Sequence, residues 1–515
     1  MTAHDLPRNG ELDLVRATLQ DVVRALEEGQ VTSVELVNRY LARIEADNIN
    51  GLGLRAVLET APKDNVLAIA QQLDEERAAG KLRGQLHGIP ILIKDAIATG
   101  PELGMQTTGG TFALMGSVVP ASAPLVQTLM SRGIIILGKA NMTVLNNMYG
   151  EGIENGWSPR GGQTLSVFGS GHNTGGSSSG SGVGLAAGFA AATIGCETMG
   201  SITSPGLHSG TYGLKPTLKL VDGQGIIPIT SRQDCAGPMG KSVWDLAALL
   251  SSMVVPHTDY TQYLASPNDS LSSYRLGVAR GPGFFPFSYS SGLKDDPHSG
   301  YPPSEALFAD ALKVLAPAIA LDPAEIPGSE TIWERDDEQS CFEDGKWKGR
   351  REVLLMVTDM YEDFNTYLAG LRNTSIRTLE DLVGWNKLHP DQAFPSAADP
   401  STAQMFLEYA VETKGIKGEE YTSFLEIGNA VAKSFVDTLD KQNLDAMVFP
   451  TWSWAPGVAS TGGFPISVMP FAQLESGEPF GLMFVARRGD EGKLIGLMAA
   501  CERVLPARPI SELLQ

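Results

Sequence analysis

An α/β fold arranged around one large buried sheet is what this sequence predicts, on two kinds of observation. Short apolar runs, Ile91-Leu92-Ile93 and residues 134–137, have strand length and lack the polar alternation of a half-exposed sheet. Each run is preceded by a helix-like stretch, at about 65–79 and 124–131. Strands alternating with helices are the pattern of helices layered on a parallel or mixed sheet. No segment repeats at a fixed period, so a solenoid is excluded, and one large domain spanning 1–515 is expected.

Two helices are expected to open the chain, within an N-terminal part covering 1–80. The second is marked by Thr32-Ser33-Val34-Glu35, a capping box, and by an apolar stripe of Val34, Val37, Leu41 and Ile44. In the 65–79 helix, Leu67, Ala70 and Leu73 are expected to face inward. A core at 81–260 follows, with a further strand at 192–195. Residues 261–303 are rich in Pro, Gly, Ser and aromatics and read as a surface insertion, although strand-like Arg275-Leu276-Gly277-Val278-Ala279 lies inside it. The remainder, 304–515, reads as a helical segment to about 440 and then C-terminal strands, with a strand at 446–449 before a Gly/Pro-rich tail.

Composition narrows the function. Apolar residues at 43% and charged residues at 19% are ordinary globular values and exclude a wholly disordered chain. With 39 basic against 59 acidic residues, the net charge of −20 argues against a nucleic-acid or anionic-membrane partner. The opening MTAHDLPRNGELDLV has no basic stretch leading into an apolar run, so no secretory signal is expected. The softest stretch, 183–195, is too short to span a bilayer. Cys196, Cys235, Cys341 and Cys501 lie far apart without a Cys-x-x-Cys pair, which disfavours a disulfide framework or structural zinc. A reducing, cytoplasmic compartment fits that usage. The seven histidines form no His-x-x-x-His pattern, so no metal and no cofactor is expected.

Chemistry concentrates between Lys94 and residue 239. Residues 175–182 are all Gly and Ser, and a helix of small residues follows. Apolar sequence on both sides favours a tightly folded loop over a linker, because small residues let backbones approach closely. A phosphate-binding loop is disfavoured, since no Gly-Lys-Ser/Thr follows the glycines. A second turn, Met199-Gly200-Ser201-Ile202, comes after the 192–195 strand. A serine on such a turn can stand beside free backbone N–H groups, as a nucleophile stands beside an oxyanion hole, although most Gly-Ser turns are only turns. Lys94 ends the strand of His87-Gly88-Ile89-Pro90-Ile91-Leu92-Ile93-Lys94-Asp95. Solvated and paired to an acid it would be ordinary; buried, it would lose its proton readily and act as a base. Lysine with serine is a known replacement for a histidine-based triad.

Taken together, GIPILIKD at 88–95, GGSSSGSG at 175–182, ETMGSITSP at 197–205, GLKPT at 213–217, GIIPIT at 225–230 and QDCAGPM at 233–239 resemble the amidase signature family, closest to its peptide-amidase-like branch. LEDLVGWNKLHP at 379–390 and LDAMVFPT at 444–451 extend the resemblance over most of the chain. Ser177 and Ser201 are 24 residues apart, the interval that family keeps between its two catalytic serines.

The resemblance implies the amidase signature fold, a single domain whose central mixed sheet is flanked by helices. It implies a Ser–Ser–Lys triad: Ser201 as nucleophile, Ser177 as the bridging serine after a cis Gly176–Ser177 bond, and Lys94 as the start of the proton relay. Backbone N–H groups of Thr198, Met199, Gly200 and Ser201 correspond to the oxyanion hole, and Asn146 and Asn147 to a stretch bordering the acyl pocket. The implied reaction is hydrolysis of a carboxamide C–N bond through an acyl-enzyme, on a small-molecule amide or peptide amide, without cofactor or metal. An esterase or carbamate hydrolase with the same triad, or a catalytically weak amide-binding member, would share these residues. Monomer and homodimer are not distinguished by the sequence. The chain departs from the family at Met199, where Gly or Asp is usual, at Thr143-Val144, where an acidic residue is common, and at Thr203, where many members have Arg.

One competing motif remains. Gly176-Ser177-Ser178-Ser179-Gly180 also fits Gly-x-Ser-x-Gly, with Ser178 as nucleophile and His208, His257, His298 or His389 as nominal bases. That motif needs a strand directly before it, and residues 169–174 read as turn.

Overall fold

The computed structural model describes residues 12–264, 270–281, 284, 302–332, 342–343, 346–347, 351–396, 399 and 402–514. The two opening helices are Leu19–Glu27 and Ser33–Asp47. Both begin with capping boxes, Thr18 with Asp21 and Thr32 with Glu35, each satisfying N–H groups the helix leaves free. The buried face of the second differs from the expected stripe: Ser33, Leu36, Val37, Tyr40 and Ile44 are buried, while Val34 and Leu41 are half-buried. Both stripes have helical spacing, and the large Tyr40 and Leu36 side chains decide the rotation. In the next helix, Lys63–Ala78, the buried set is Val66, Ala70 and Leu73, with Leu67 half-buried beside it.

One 11-stranded mixed sheet holds the molecule together as a single α/β domain. Its strands run in the order Val57–Thr60, Ile135–Ala140, Pro90–Lys94, Ala192–Glu197, Cys235–Gly240, Tyr212–Lys215, Ile466–Gln473, Pro479–Ala486, Ala446–Pro450, Leu276–Ala279 and Ile319–Ala324. Three neighbours, Ile135–Ala140, Pro90–Lys94 and Ala192–Glu197, are parallel and buried at every position. Cover on both faces accounts for their largely apolar sequence, the polar exceptions being Lys94, Lys139, Thr193 and Glu197.

The 261–303 stretch contains the buried strand Leu276–Ala279, paired in parallel to Ala446–Pro450 and to Ile319–Ala324. Residues 265–269, 282–283 and 285–301 of that stretch lie outside the described residues. Beyond Ala446–Pro450, the Gly/Pro-rich sequence forms two eight-residue strands, Ile466–Gln473 and Pro479–Ala486, and the helix Glu491–Glu502. Pro470 sits inside the first of these, where the register shifts between Pro470 and Ala472. A proline is tolerated within a sheet at such an irregularity because its missing N–H falls out of the ladder there.

Candidate active site

Lys94 is the last residue of Pro90–Lys94, and Ser201 follows the end of the adjacent parallel strand Ala192–Glu197. Both therefore stand at the carboxyl ends of neighbouring parallel strands, where α/β sheets open their binding crevices. Ser177 comes between them in sequence, just before the helix Ser179–Ala186, which is buried on all sides.

Close packing makes that placement rigid. A Cβ on Gly180 would lie 2.5 Å from both the N and O of Asn141, and one on Gly182 would lie 2.7 Å from Pro205 O. Ser181 Oγ donates to Ile194 O at 3.2 Å, and Thr193 Oγ1 donates back to Ser181 O at 3.0 Å, stitching the helix to the strand. The Gly/Ser segment is therefore a compressed structural element. The two serine backbones are tied as well: Thr143 N donates to Ser177 O at 3.0 Å, and Ser178 N to Ser201 O at 3.2 Å. The Gly176–Ser177 peptide bond is cis.

The three side chains form a continuous chain. Lys94 Nζ donates to Ser177 Oγ at 2.8 Å and to Cys196 O at 3.2 Å. Ser177 Oγ in turn donates to Ser201 Oγ at 3.0 Å. Hydroxyl hydrogens rotate, so these contacts can also pass a proton in the opposite sense, from Ser201 toward the amine. Lys94 and Ser177 are 0% exposed, and Ser201 is 8% exposed. Burial pushes the Lys94 amine down from 10.5 to about 8, against smaller upward effects of Cys196, Asp234 and Glu197. No carboxylate forms an ion pair with Lys94 among the described residues.

The turn between the strand and Ser201 leaves several N–H groups free. Gly200 has φ +84°, a conformation that L side chains rarely adopt, while its nearest neighbour to an added Cβ is Pro456 at 3.8 Å. Glycine is thus required here by conformation, not by space. The N–H groups of Met199, Gly200 and Ser201 meet no acceptor among the described residues, whereas the next two, Ile202 and Thr203, donate to Glu197 Oε2 at 2.7 and 2.9 Å. Thr203 Oγ1 donates to the same oxygen at 3.1 Å. Met199 is half-buried and packs on the hydrophobic core.

A cavity of about 930 Å³ is lined by Lys94, Ser177, Thr198 and Asn146 together with apolar residues such as Leu125 and Val221. Asn146 (φ +59°) donates from Nδ2 to Ile227 O at 2.9 Å, and its buried Oδ1 has no hydrogen-bond partner. Asn147 is exposed and lies outside that lining, so the structure separates the pair. Ser178 is 0% exposed, and its hydroxyl donates to Cys196 O at 3.1 Å and accepts from Cys196 N at 3.2 Å. That is a structural role. No strand precedes it over 169–174. Two groups escaped the sequence reading: Glu197, which caps the 203–208 helix, and Asp234, which meets Thr198 and lines the cavity. Both lie inside quoted motifs, Glu197 in ETMGSITSP and Asp234 in QDCAGPM, yet nothing in the linear sequence shows that they converge on one turn. No cluster of three or more His, Cys, Asp or Glu side chains suited to a metal occurs among the described residues, and no helix among them is long and apolar enough to cross a membrane.

A buried lysine and two serines at the carboxyl edge of an α/β sheet define a hydrolase-type site, and comparison with known proteins makes the class specific. The family model described as Amidase matches residues 35–290. A putative amidase of Schizosaccharomyces pombe is 30% identical over 534 residues, covering 97% of this chain and 87% of that protein. The crystal structure of the peptide amidase PAM in complex with the competitive inhibitor chymostatin superposes with a TM-score of 0.82 at 31% identity, covering 96% of this chain and 99% of that one. Native peptide amidase from Stenotrophomonas maltophilia gives 0.80 at 31% identity, with 96% and 98% covered. The chain belongs to the amidase signature family and is an amide-hydrolysing enzyme.

Proposed function

We propose that the chain cleaves carboxamide C–N bonds with Ser201 as nucleophile, Ser177 as bridging acid–base and Lys94 as the terminal proton acceptor. The observation that carries this reading is the unbroken Lys94–Ser177–Ser201 contact chain, at 2.8 and 3.0 Å. Neutral Lys94 takes the Ser177 proton as Ser177 takes that of Ser201, and Ser201 Oγ adds to the amide carbon. The carbonyl oxygen becomes an oxyanion met by backbone N–H groups of Thr198, Met199, Gly200 and Ser201. Collapse breaks the C–N bond while the relay returns a proton to the departing amine, leaving an ester at Ser201. Water, deprotonated by the same relay, hydrolyses the ester and releases the acid. No step requires a metal or cofactor.

Asn146 fits the border of the bound amide, since its orphaned Oδ1 stands at a residue lining the cavity. The substrate class is a small-molecule or peptide amide, supported by the likeness to peptide amidase, one structure of which holds a competitive inhibitor. Three buried free thiols, Cys196, Cys235 and Cys501, suit a reducing, cytoplasmic setting. Labelling with a fluorophosphonate tests the assignment: the expected adduct is on Ser201, and an active protein that labels elsewhere, or not at all, overturns it. Paired amide, ester and carbamate substrates with the same acyl group then rank the leaving-group preference.

A further inference from the structure

The turn that presents Ser201 is held unevenly. Its carbonyls are paired, with Ser204 N donating to Gly200 O at 2.7 Å and Ser178 N to Ser201 O at 3.2 Å, whereas the N–H groups of Met199, Gly200 and Ser201 have no acceptor among the described residues. Side chains hold its two ends. At the far end the Glu197 carboxylate takes the N–H groups of Ile202 and Thr203. At the near end Thr198 Oγ1 donates to Asp234 Oδ1 at 2.6 Å.

Asp234 lies just before the strand Cys235–Gly240, whose pairing with Ala192–Glu197 ends at Glu197 and Cys235. Thr198 and Asp234 are thus the first residues beyond the last rung of that ladder, where the chains are free to part. The other carboxylate oxygen, Oδ2, accepts from Ile229 N at 2.8 Å and Thr230 N at 3.0 Å. If Asp234 only closed its own 229–234 turn, Oδ2 would suffice; Oδ1 is directed across to the nucleophile turn instead. The 229–234 turn is itself anchored, since Thr230 Oγ1 donates to Asp359 Oδ2 at 2.8 Å and Arg232 Nε to the same oxygen at 3.0 Å. Asp359 belongs to the helix Arg351–Gly370. Asp234 forms no ion pair with a lysine or arginine among the described residues, so its contacts there are these hydrogen bonds.

We propose that Asp234 is a positioning residue of amide hydrolysis: through the Thr198 hydroxyl it fixes the 198–201 backbone in register with the oxygen of the reacting carbonyl. This inference rests on the assignment of Ser201 as nucleophile. The oxygen becomes fully charged only as the tetrahedral intermediate forms, so misplaced N–H groups should slow turnover more than they weaken substrate binding.

The test measures kcat and KM separately on one neutral amide, with thermal unfolding alongside, for Thr198→Val, Thr198→Ser, Asp234→Asn and the Thr198→Val/Asp234→Asn double variant. Valine keeps the shape of threonine and removes the hydroxyl; serine keeps the hydroxyl. Thr198→Val is expected to lower kcat about 10- to 100-fold, with KM within about threefold, because donors are displaced and not deleted. Thr198→Ser should recover most of the loss, and the double variant should be no slower than Asp234→Asn alone, as for residues acting through one contact. Wild-type kcat in Thr198→Val overturns the proposal, as does equal loss in Thr198→Ser, a loss confined to KM, or additive losses in the double variant. Should Asp234→Asn not fold, the valine–serine pair decides alone. Wild-type turnover in Ser201→Ala would sink the underlying nucleophile assignment, whereas a Ser201-dependent enzyme indifferent to Thr198→Val would sink only the clamp.

Discussion

Lys94 Nζ stands 2.8 Å from Ser177 Oγ in a site where neither side chain is exposed. Burial holds the amine near a pKa of about 8. Below that value the ammonium form predominates and cannot accept a proton; above it the neutral amine predominates. On an uncharged amide, kcat/KM should therefore climb through neutral pH and level off on the alkaline side of about 8. Lys94→Ala should cost roughly 100- to 10,000-fold, the span of general-base contributions, and abolish the climb. A pH–rate series on both proteins checks this. An unchanged profile in the variant would make Lys94 an ordinary structural lysine.

Ser201→Ala and Ser178→Ala should behave differently, although both delete a hydroxyl from a neighbouring segment. Loss of Ser201 should abolish turnover with little change in unfolding temperature. Loss of Ser178 should show first in stability, because its hydroxyl serves both the N–H and the C=O of Cys196. His208→Ala, His257→Ala and His389→Ala should each keep activity within about threefold, since the proposed relay ends on an amine. A histidine variant that loses turnover while remaining folded would revive a histidine-based mechanism.

Dialysis against a strong chelator should leave turnover unchanged, because the proposed mechanism draws each proton transfer and the oxyanion contacts from protein groups. Assay before and after chelation, with zinc and magnesium added back, decides it; loss that metal restores would reveal an ion site.

Two glycines should fail in contrasting ways. Gly180→Ala drives a methyl group to within 2.5 Å of Asn141 backbone atoms, an overpacking that costs about 1–3 kcal/mol and should lower the denaturant midpoint. Gly200→Ala meets no atom closer than 3.8 Å, so its cost is the φ of +84° and should appear mainly as lost kcat. Equilibrium unfolding and initial rates on both variants separate the effects.

The central strands were legible because burial on both faces favours apolar runs, so Ile91-Leu92-Ile93 announces itself. Helix starts were legible for a local reason: a capping box such as Thr32 with Glu35 is complete within four residues. What depends on a distant partner was not. The rotation of Ser33–Asp47 is set by what Tyr40 packs against, and Pro470 disguised a strand whose irregular register accommodates it. Lys94, Ser177 and Ser201 came from motif resemblance, since no local pattern brings residues 83 and 24 positions apart into contact. Asp234 lies in the QDCAGPM motif, but that resemblance gave it no role. Its relation to Thr198 exists only once two antiparallel strands have paired. Asn147, adjacent to Asn146, shows the converse: neighbours in sequence need not share a site, since Asn146 is buried and lines the cavity while Asn147 is exposed.

The separation of the cavity wall from the reacting groups bears on how such an enzyme can change. Leu125 belongs to the helix Pro124–Ser131, Val221 to the loop after Tyr212–Lys215, and Val255 to the segment after Val243–Met253, while Lys94 and Ser177 are set on or beside the central parallel strands. Substitutions at those three lining positions alter the volume and polarity offered to a substrate without moving a proton donor or acceptor. The compressed Gly/Ser helix tolerates almost no additional atom. Mutational drift is thereby channelled: new amides can be recruited by changing the wall, and a directed-evolution library is best concentrated there.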